Sequence, residues 1–160
     1  MKKLLLVGLF AFAFAGAQAQ ELGIRSGVSA GNNVAVDALL SVGEFSRIHA
    51  NASVGGGIGV DVLWDFFYRP FDISGENGFG WYMGVGPSMY AGRRYGHWGN
   101  DPLLTDNVFL LGASFEIGID YHFDFPLALA VDYRPTFWIV EETHFGAGGF
   151  GVMARYCFGK

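Results

Sequence analysis

The chain has 160 residues, of which 51% are hydrophobic and 16% charged, and its formal net charge is −5. An acidic chain without a basic cluster is a poor match for nucleic acid, because phosphate binding needs positive charge. The single cysteine, Cys157, excludes an internal disulfide. Beyond the N-terminal segment, no run approaches the roughly 18 apolar residues of a membrane-spanning helix.

The first nineteen residues have the pattern of an export signal. Lys2 and Lys3 precede an apolar stretch, and small residues at Ala17 and Ala19 fit a cleavage site. We therefore expect residues 1–19 to be a secretory signal peptide that is removed. Residues 20–160 contain no composition shift or linker, so the sequence predicts a single domain there.

Four strands are predicted in the first half of the mature chain, because apolar residues alternate with polar or small ones. They lie at residues 21–28, 34–42, 47–54 and 58–69. The third and fourth are separated only by Gly55-Gly56-Gly57, which is expected to form a tight turn. Without that turn the strand count would be seven, and a barrel would not close in the usual way.

Four more strands follow after a turn-rich connector at residues 70–80. The fifth is predicted at 81–90 and is followed by a long loop at 92–106. The sixth and seventh form a hairpin over residues 108–140 with its turn at 123–126, and the eighth follows a loop at 141–148 and covers 150–158. Strands in the hairpin exceed ten residues, a length that suits a bilayer crossed at a tilt.

These strands predict an all-β fold: a closed, antiparallel transmembrane β-barrel of eight strands in an up-and-down meander. Lipid admits only helices or closed barrels, since every backbone polar group must be hydrogen-bonded internally. A soluble calyx would place the apolar face inside. The Phe, Trp and Tyr rings of that face have more bulk than the interior of an eight-stranded barrel can enclose. Aromatic residues near strand ends are predicted to form interfacial girdles, namely Tyr68, Trp81, Tyr121, Trp138 and Phe158.

The export signal, the eight alternating strands and the final Arg155-Tyr156-Cys157-Phe158 resemble the small outer-membrane β-barrel proteins of Gram-negative bacteria. The resemblance implies a location in the cell outer membrane, in contact with its lipid and lipopolysaccharide. It also implies that the barrel assembly machinery recognises the last strand, although Gly159-Lys160 extends past the aromatic Phe158. This architecture hosts unrelated functions, so the extracellular partner stays open.

The inward face is predicted to carry nearly matched opposite charges. Side chains fill the interior of an eight-stranded barrel, and arginine binds carboxylates in a bidentate manner. We therefore expect a polar, plugged lumen in a structural or surface-interacting protein; a narrow porin-like channel is the alternative. The predicted network comprises Glu21, Arg25, Asp37, Arg47, His49, Asp61, Asp65, Arg69, Glu116, Asp120, His122, Asp132, Arg134 and Arg155.

A lipid A-modifying hydrolase or acyltransferase is a further alternative, because some barrels of the resembling kind use histidine with serine and an acid. His144 and His97 have acidic neighbours, but neither has a serine at a supporting spacing. We predict no catalytic residue, no cofactor and no metal site, since no cysteine or histidine cluster has metal-ligand spacing. The outer loops offer candidate contacts for an external partner: Arg93, Arg94, His97, Trp98 and His144.

Overall fold

The computed structural model describes residues 20–29, 32–93, 107–141, 143–147 and 149–158. Every regular element in these ranges is a β-strand. The ten segments are β1 (Glu21–Ser29), β2 (Asn32–Gly43), β3 (Ser46–Gly55), β4 (Gly57–Ile73), β5 (Glu76–Arg93), β6 (Asn107–His122), β7 (Leu127–Tyr133), β8 (Thr136–Trp138), β9 (His144–Gly146) and β10 (Phe150–Cys157). Within the described part of the chain, no helix is long and apolar enough to cross a membrane.

The ten segments make eight barrel strands, which confirms the predicted closed meander. Each strand pairs antiparallel with its neighbours in sequence, and β1 pairs with β10 to close the barrel. β7 and β8 form one strand interrupted at Pro135, which has no N–H to give to the ladder. β9 pairs with β8, and β10 pairs with β7, so β9 and β10 together also form one barrel strand. The turn at Gly56 separates β3 from β4, as predicted.

Large apolar side chains cover the outside of the barrel, and most polar side chains point inward. Ile24 on β1 is 61% exposed, and Val152 on the neighbouring β10 is also 61% exposed. The residues that follow them, Arg25 and Met153, are buried. This orientation is the reverse of a soluble calyx. A few apolar side chains also fill the interior, among them Leu39, Leu63 and Met153.

A β-bulge in β4 reverses the predicted facing of Tyr68 and Arg69. Trp64 pairs with Val85 on β5, but the next pair joins Phe67 to Met83, so β4 holds one extra residue. After the bulge, Tyr68 points inward, and the assignment of Arg69 to the lumen is wrong. Arg69 is exposed, and its guanidinium carbon lies 3.7 Å from the centre of the Phe45 ring.

The predicted connector at residues 70–80 is mostly strand. β4 continues to Ile73 and β5 begins at Glu76, so only Ser74 and Gly75 form the turn. Both have positive φ angles, 54° and 89°, as two-residue hairpin turns require. The β4–β5 hairpin is therefore longer than the alternation alone indicates.

The barrel has two distinct ends. The termini end holds the start of β1, the end of β10 and the short β2–β3, β4–β5 and β6–β7 connections. The loop end holds the short β1–β2 and β3–β4 connections, the long β5–β6 connection and the residues between β8 and β10. Short turns at the end with the termini and longer loops at the other are typical of transmembrane barrels.

An aromatic belt follows the outside of the termini end from β4 to the β6–β7 turn. Phe71, Phe79, Tyr121, Phe123 and Phe125 form an unbroken chain of ring contacts, with centroids 4.6–5.7 Å apart. The predicted girdle residues Trp81, Tyr121 and Phe158 each contact another outward ring. Tyr68 and Trp138 do not belong to a girdle, because the bulge turns Tyr68 inward and Trp138 is buried at the loop end.

Inward glycines provide the space that the larger luminal side chains occupy. A Cβ added at Gly118 would lie 2.3 Å from Cζ of Tyr82, and one at Gly151 would lie 2.5 Å from the Arg25 guanidinium carbon. A Cβ added at Gly80 would lie 2.5 Å from Cε2 of Tyr68. These glycines relieve crowding in a narrow interior, as the sequence predicts.

Candidate functional site

Arg134, at the break between β7 and β8, is the centre of the luminal network. Its Nη2 donates to Oε2 of Glu116 at 2.7 Å and to Oδ2 of Asp132 at 3.0 Å, and its Nη1 donates to Asp61 at 3.3 Å. Three strands thus meet on one guanidinium. Arg25 adds a fourth strand, because its Nη2 donates to Asp132 at 2.8 Å.

Arg47 on β3 organises the half of the lumen nearer the termini. Its Nη1 donates to Asp120 at 2.8 Å and its Nε to Asp65 at 3.3 Å. The guanidinium also lies against two tyrosine rings, 4.1 Å from the Tyr68 centroid and 4.7 Å from that of Tyr82. A delocalised cation between carboxylates and aromatic faces is a site that arginine suits better than lysine.

His49, fully buried on β3, lies between two carboxylates. Its Nε2 is 2.6 Å from Oδ1 of Asp37, and its Nδ1 is 3.2 Å from Oε1 of Glu116. Asn51 also donates to Asp37, at 2.9 Å. Because an ionised carboxylate only accepts hydrogen bonds, His49 donates from both ring nitrogens in this arrangement.

Arg155 and the half-buried His122 complete the network at the termini end. His122 Nε2 lies 2.8 Å from Oε1 of Glu21, and Arg155 Nε lies 3.3 Å from Oε2 of the same residue. Arg155 is also within 4.0 Å of Asp37 and Asp120. Glu21 therefore joins the first strand to the last, and this pairing supports closure of the barrel.

Buried hydroxyl groups form a separate cluster nearer the loop end. Ser114 lies within hydrogen-bond distance of both Ser88 and Thr136. The hydroxyl of Ser88 is buried in this cluster. His144 is exposed in β9. The structure therefore does not bring these two residues together.

The other loop candidates lie on or next to the β5–β6 connection. Arg94, His97 and Trp98 lie outside the described residues, and of Arg93 only its backbone place at the end of β5 is described. Glu141, next to the outer loop, is exposed and accepts a hydrogen bond from the Phe109 amide at 2.9 Å.

Thirteen of the fourteen residues predicted for the lumen therefore lie inside and carry ion pairs or hydrogen bonds, and Arg69 does not. Sequence reasoning left Tyr68, Tyr82 and Asn51 out of the network. Alternation places Tyr82 and Asn51 inward, so that signal was available. Alternation places Tyr68 on the outer face, because it takes no account of the bulge that precedes this residue.

Side chains fill the described part of the lumen. In the described part of the lumen, fully buried acids and arginines from most of the strands contact one another across the interior. A cavity bordered by Arg25, Asn51 and Asp61 has a volume of only about 10 Å³, which is close to the minimum that holds one water molecule.

The strand pairing defines a closed eight-stranded antiparallel β-barrel. Its outer wall is apolar, and charged side chains fill the described part of its lumen. Comparison with protein-family models, curated proteins and solved structures finds no match to this chain.

The buried hydroxyl of Tyr82 makes no hydrogen bond with the described residues. Removing it in Tyr82→Phe keeps the ring against Arg47 and leaves no partner unsatisfied. We therefore expect the free energy of unfolding to change by less than about 1 kcal/mol, measured by urea titration of the folded barrel. A loss of about 2 kcal/mol or more would show that the hydroxyl has a partner, such as an ordered water.

Proposed function

We propose that this chain is an integral outer-membrane β-barrel with a plugged lumen, exported by a signal peptide at residues 1–19. The observation that carries the proposal is the inverted distribution of polarity. Outward side chains such as Ile24 and Val131 are apolar and more than half exposed, whereas Asp37, Asp65 and Arg155 are fully buried. A closed barrel of this kind leaves no backbone edge unpaired, which lipid requires.

The aromatic belt at the termini end supports the same proposal. Rings at the boundary of an apolar band are typical of membrane interfaces. Midway along the wall, the outward rings of Tyr133 and Phe150 contact each other with centroids 4.8 Å apart. At the loop end, Phe109, Phe137 and Phe145 are outward and exposed. The apolar wall is thus bordered by aromatic residues at both ends.

The proposed role is structural or surface-interacting, because the network fills the interior in which a channel would lie. Its surroundings would be outer-membrane lipid and lipopolysaccharide. The outward, 51% exposed Phe158 follows β10 and is the residue that we expect the barrel assembly machinery to contact during insertion.

Vesicle leakage is the test of this proposal. Residues 20–160 are refolded into phospholipid vesicles loaded with a small fluorescent solute, and a heat-sensitive gel mobility confirms folding. We expect folded protein and tight vesicles. Leakage that scales with the folded fraction would overturn the plug and indicate a narrow channel. Failure to enter vesicles, with a folded protein soluble without detergent, would overturn the membrane barrel itself.

Two further measurements address location and enzymatic activity. After expression of the full chain in a Gram-negative host, we expect the protein in the outer-membrane fraction with residues 1–19 removed. We expect the mass spectrum of lipid A to be unchanged relative to an empty-vector control. A shift by one acyl chain would instead support a hydrolase or acyltransferase.

A further inference from the structure

Three luminal side chains point their ligand atoms at a common position near the middle of the barrel. His49 on β3, Asp65 on β4 and Glu116 on β6 are fully buried, and each offers one ligand atom within 4.8 Å of the others. β3 and β4 form one hairpin, whereas β6 lies much further along the chain, so no short ligand spacing in the sequence reveals the set.

Each carboxylate in this group uses only one of its oxygens to bind an arginine. Glu116 accepts from Arg134 through Oε2, and Asp65 accepts from Arg47 through Oδ2. The second oxygens, Oε1 and Oδ1, are therefore turned toward the shared position. Oδ1 of Asp65 is buried and accepts no hydrogen bond from an N–H group of the described residues. It lies beside the Glu116 carboxylate, so a cation or a shared proton has to offset the two charges in this closed interior.

The histidine is oriented as metal-ligating histidines are. Nε2 of His49 is held by Asp37 at 2.6 Å, and Asn51 in turn fixes Asp37. A carboxylate on the far ring nitrogen is the usual outer partner of a ligating imidazole, because it sets the tautomer and the ring direction. It leaves Nδ1 directed at the shared position, 3.2 Å from Oε1 of Glu116. The edge of a tetrahedral zinc site with ligand bonds of about 2.1 Å is similar, about 3.4 Å.

Space and charge also favour a cation. Gly84 faces the shared position, and a Cβ there would lie 2.5 Å from Asp65 Oδ1 and 2.9 Å from Glu116 Oε1. Among the described residues, six carboxylates and four arginines are buried in the lumen, so the acidic groups outnumber the arginines that pair with them.

We propose that the lumen binds one divalent transition-metal ion of the Zn²⁺ class through Nδ1 of His49, Oδ1 of Asp65 and Oε1 of Glu116. Binding displaces the proton from Nδ1 to solvent, since a ligating imidazole is neutral. Mixed imidazole and carboxylate ligands suit zinc and its neighbours better than calcium or magnesium. The ion would join β3, β4 and β6 at the centre of the plug. The site depends only on the closed interior, so it goes beyond the proposed membrane role and does not require it.

Metal content after refolding tests the site. Untagged residues 20–160 are refolded with Zn²⁺ present, because the site is buried once the barrel has closed, and are then desalted against a chelator. We expect about one zinc ion per folded chain, measured by plasma mass spectrometry. The alternative, a proton shared by Asp65 and Glu116, predicts a folded chain that retains no zinc, and that result would overturn the proposal.

Two variants and a matched control locate the ion. Asp65→Asn removes the ligand charge, and Gly84→Ala places a methyl group between the ligand oxygens; both should lower retained zinc at least tenfold. Asp132→Asn changes another buried luminal carboxylate, which pairs with Arg25 and Arg134 and supplies no ligand atom to the site, and it should keep the ion. Folding of each variant is checked by gel mobility. Zinc retained in both site variants would place it elsewhere and refute the assignment.

Cobalt provides a readout that does not depend on stability. Refolding with Co²⁺ should give the visible absorption of a low-coordinate site with nitrogen and oxygen ligands, and the band should be absent in Asp65→Asn. An octahedral spectrum identical in wild type and variant would show surface binding and contradict the proposal.

Discussion

Replacing Arg134 by alanine is expected to lower the free energy of unfolding by about 3–5 kcal/mol. The guanidinium is 1% exposed and pairs with Asp61, Glu116 and Asp132. Its removal leaves three carboxylates close together in a closed interior without their shared cation. The cost is therefore mainly that of uncompensated buried charge, and it exceeds the worth of any one hydrogen bond. Urea unfolding of the refolded barrel, followed by tryptophan fluorescence, measures it.

Arg69→Ala is the matched control for this prediction. It removes the same side chain from the same barrel, but Arg69 is exposed and contacts the rings of Phe45 and Phe67 on the outer surface. A cation over an exposed ring contributes about 0.5–1 kcal/mol. If both variants lose the same small amount, Arg134 is not the centre of a plug and the lumen is more hydrated than its geometry indicates.

The contrast between these arginines shows how far alternation predicts the fold. Period-two patterning identifies the closed eight-stranded meander, because one face of every strand must be apolar and the other polar. It places Arg134 inside and the turn at Gly56 between two strands, and both are observed. The prediction fails at Arg69, because one inserted residue in β4 exchanges the two faces for the rest of that strand.

A local signal of the bulge does exist in the sequence. Phe66, Phe67 and Tyr68 are three consecutive aromatic residues, which a strictly alternating strand with a polar inner face does not contain. Phe66 is exposed on the outside, Phe67 packs against Trp81, and Tyr68 lies over Arg47. A loss of alternation in the middle of a strand thus indicates an extra residue, although it does not say which residue is inserted.

The partners within the lumen were not predictable from one sequence. Which inward residues meet across a barrel depends on the stagger between strands, and alternation does not determine that stagger. His49 and Glu116 are 67 residues apart, and Arg25 and Asp132 are 107 apart. Matching of opposite charges predicts that such pairs exist, and only the register shows that three ligand atoms converge beside Gly84.

The glycines explain why so many large polar groups fit inside eight strands. Tyr82 is fully buried, with its ring 4.7 Å from the Arg47 guanidinium and 6.2 Å from the His49 ring. It can take this position only because Gly118 on β6 has no side chain beneath it. The absence of a side chain at Gly118 thus determines where the Tyr82 ring lies, and this ring lies beside both Arg47 and His49.

Gly118→Val is accordingly expected to destabilise the barrel by about 2–3 kcal/mol, as overpacking of a tight core does. Its Cβ would lie 2.3 Å from the Tyr82 ring, which must then leave its place beside Arg47. The control is Gly43→Val at the end of β2, where a Cβ meets only the Ser46 Cβ at 3.8 Å, and it should cost little. Urea unfolding under the conditions used for the arginine variants measures both.

Combining Gly118→Val with Tyr82→Ala tests whether the steric conflict with the Tyr82 ring causes the loss of stability. Removing the ring removes the steric conflict, so in that background Gly118→Val should cost less than about 1 kcal/mol, and the two changes should be non-additive by about 1–2 kcal/mol. Equal costs of Gly118→Val with and without the ring would mean that the glycine serves strand curvature instead. That result would contradict the explanation that inward glycines make room for the large side chains of the lumen.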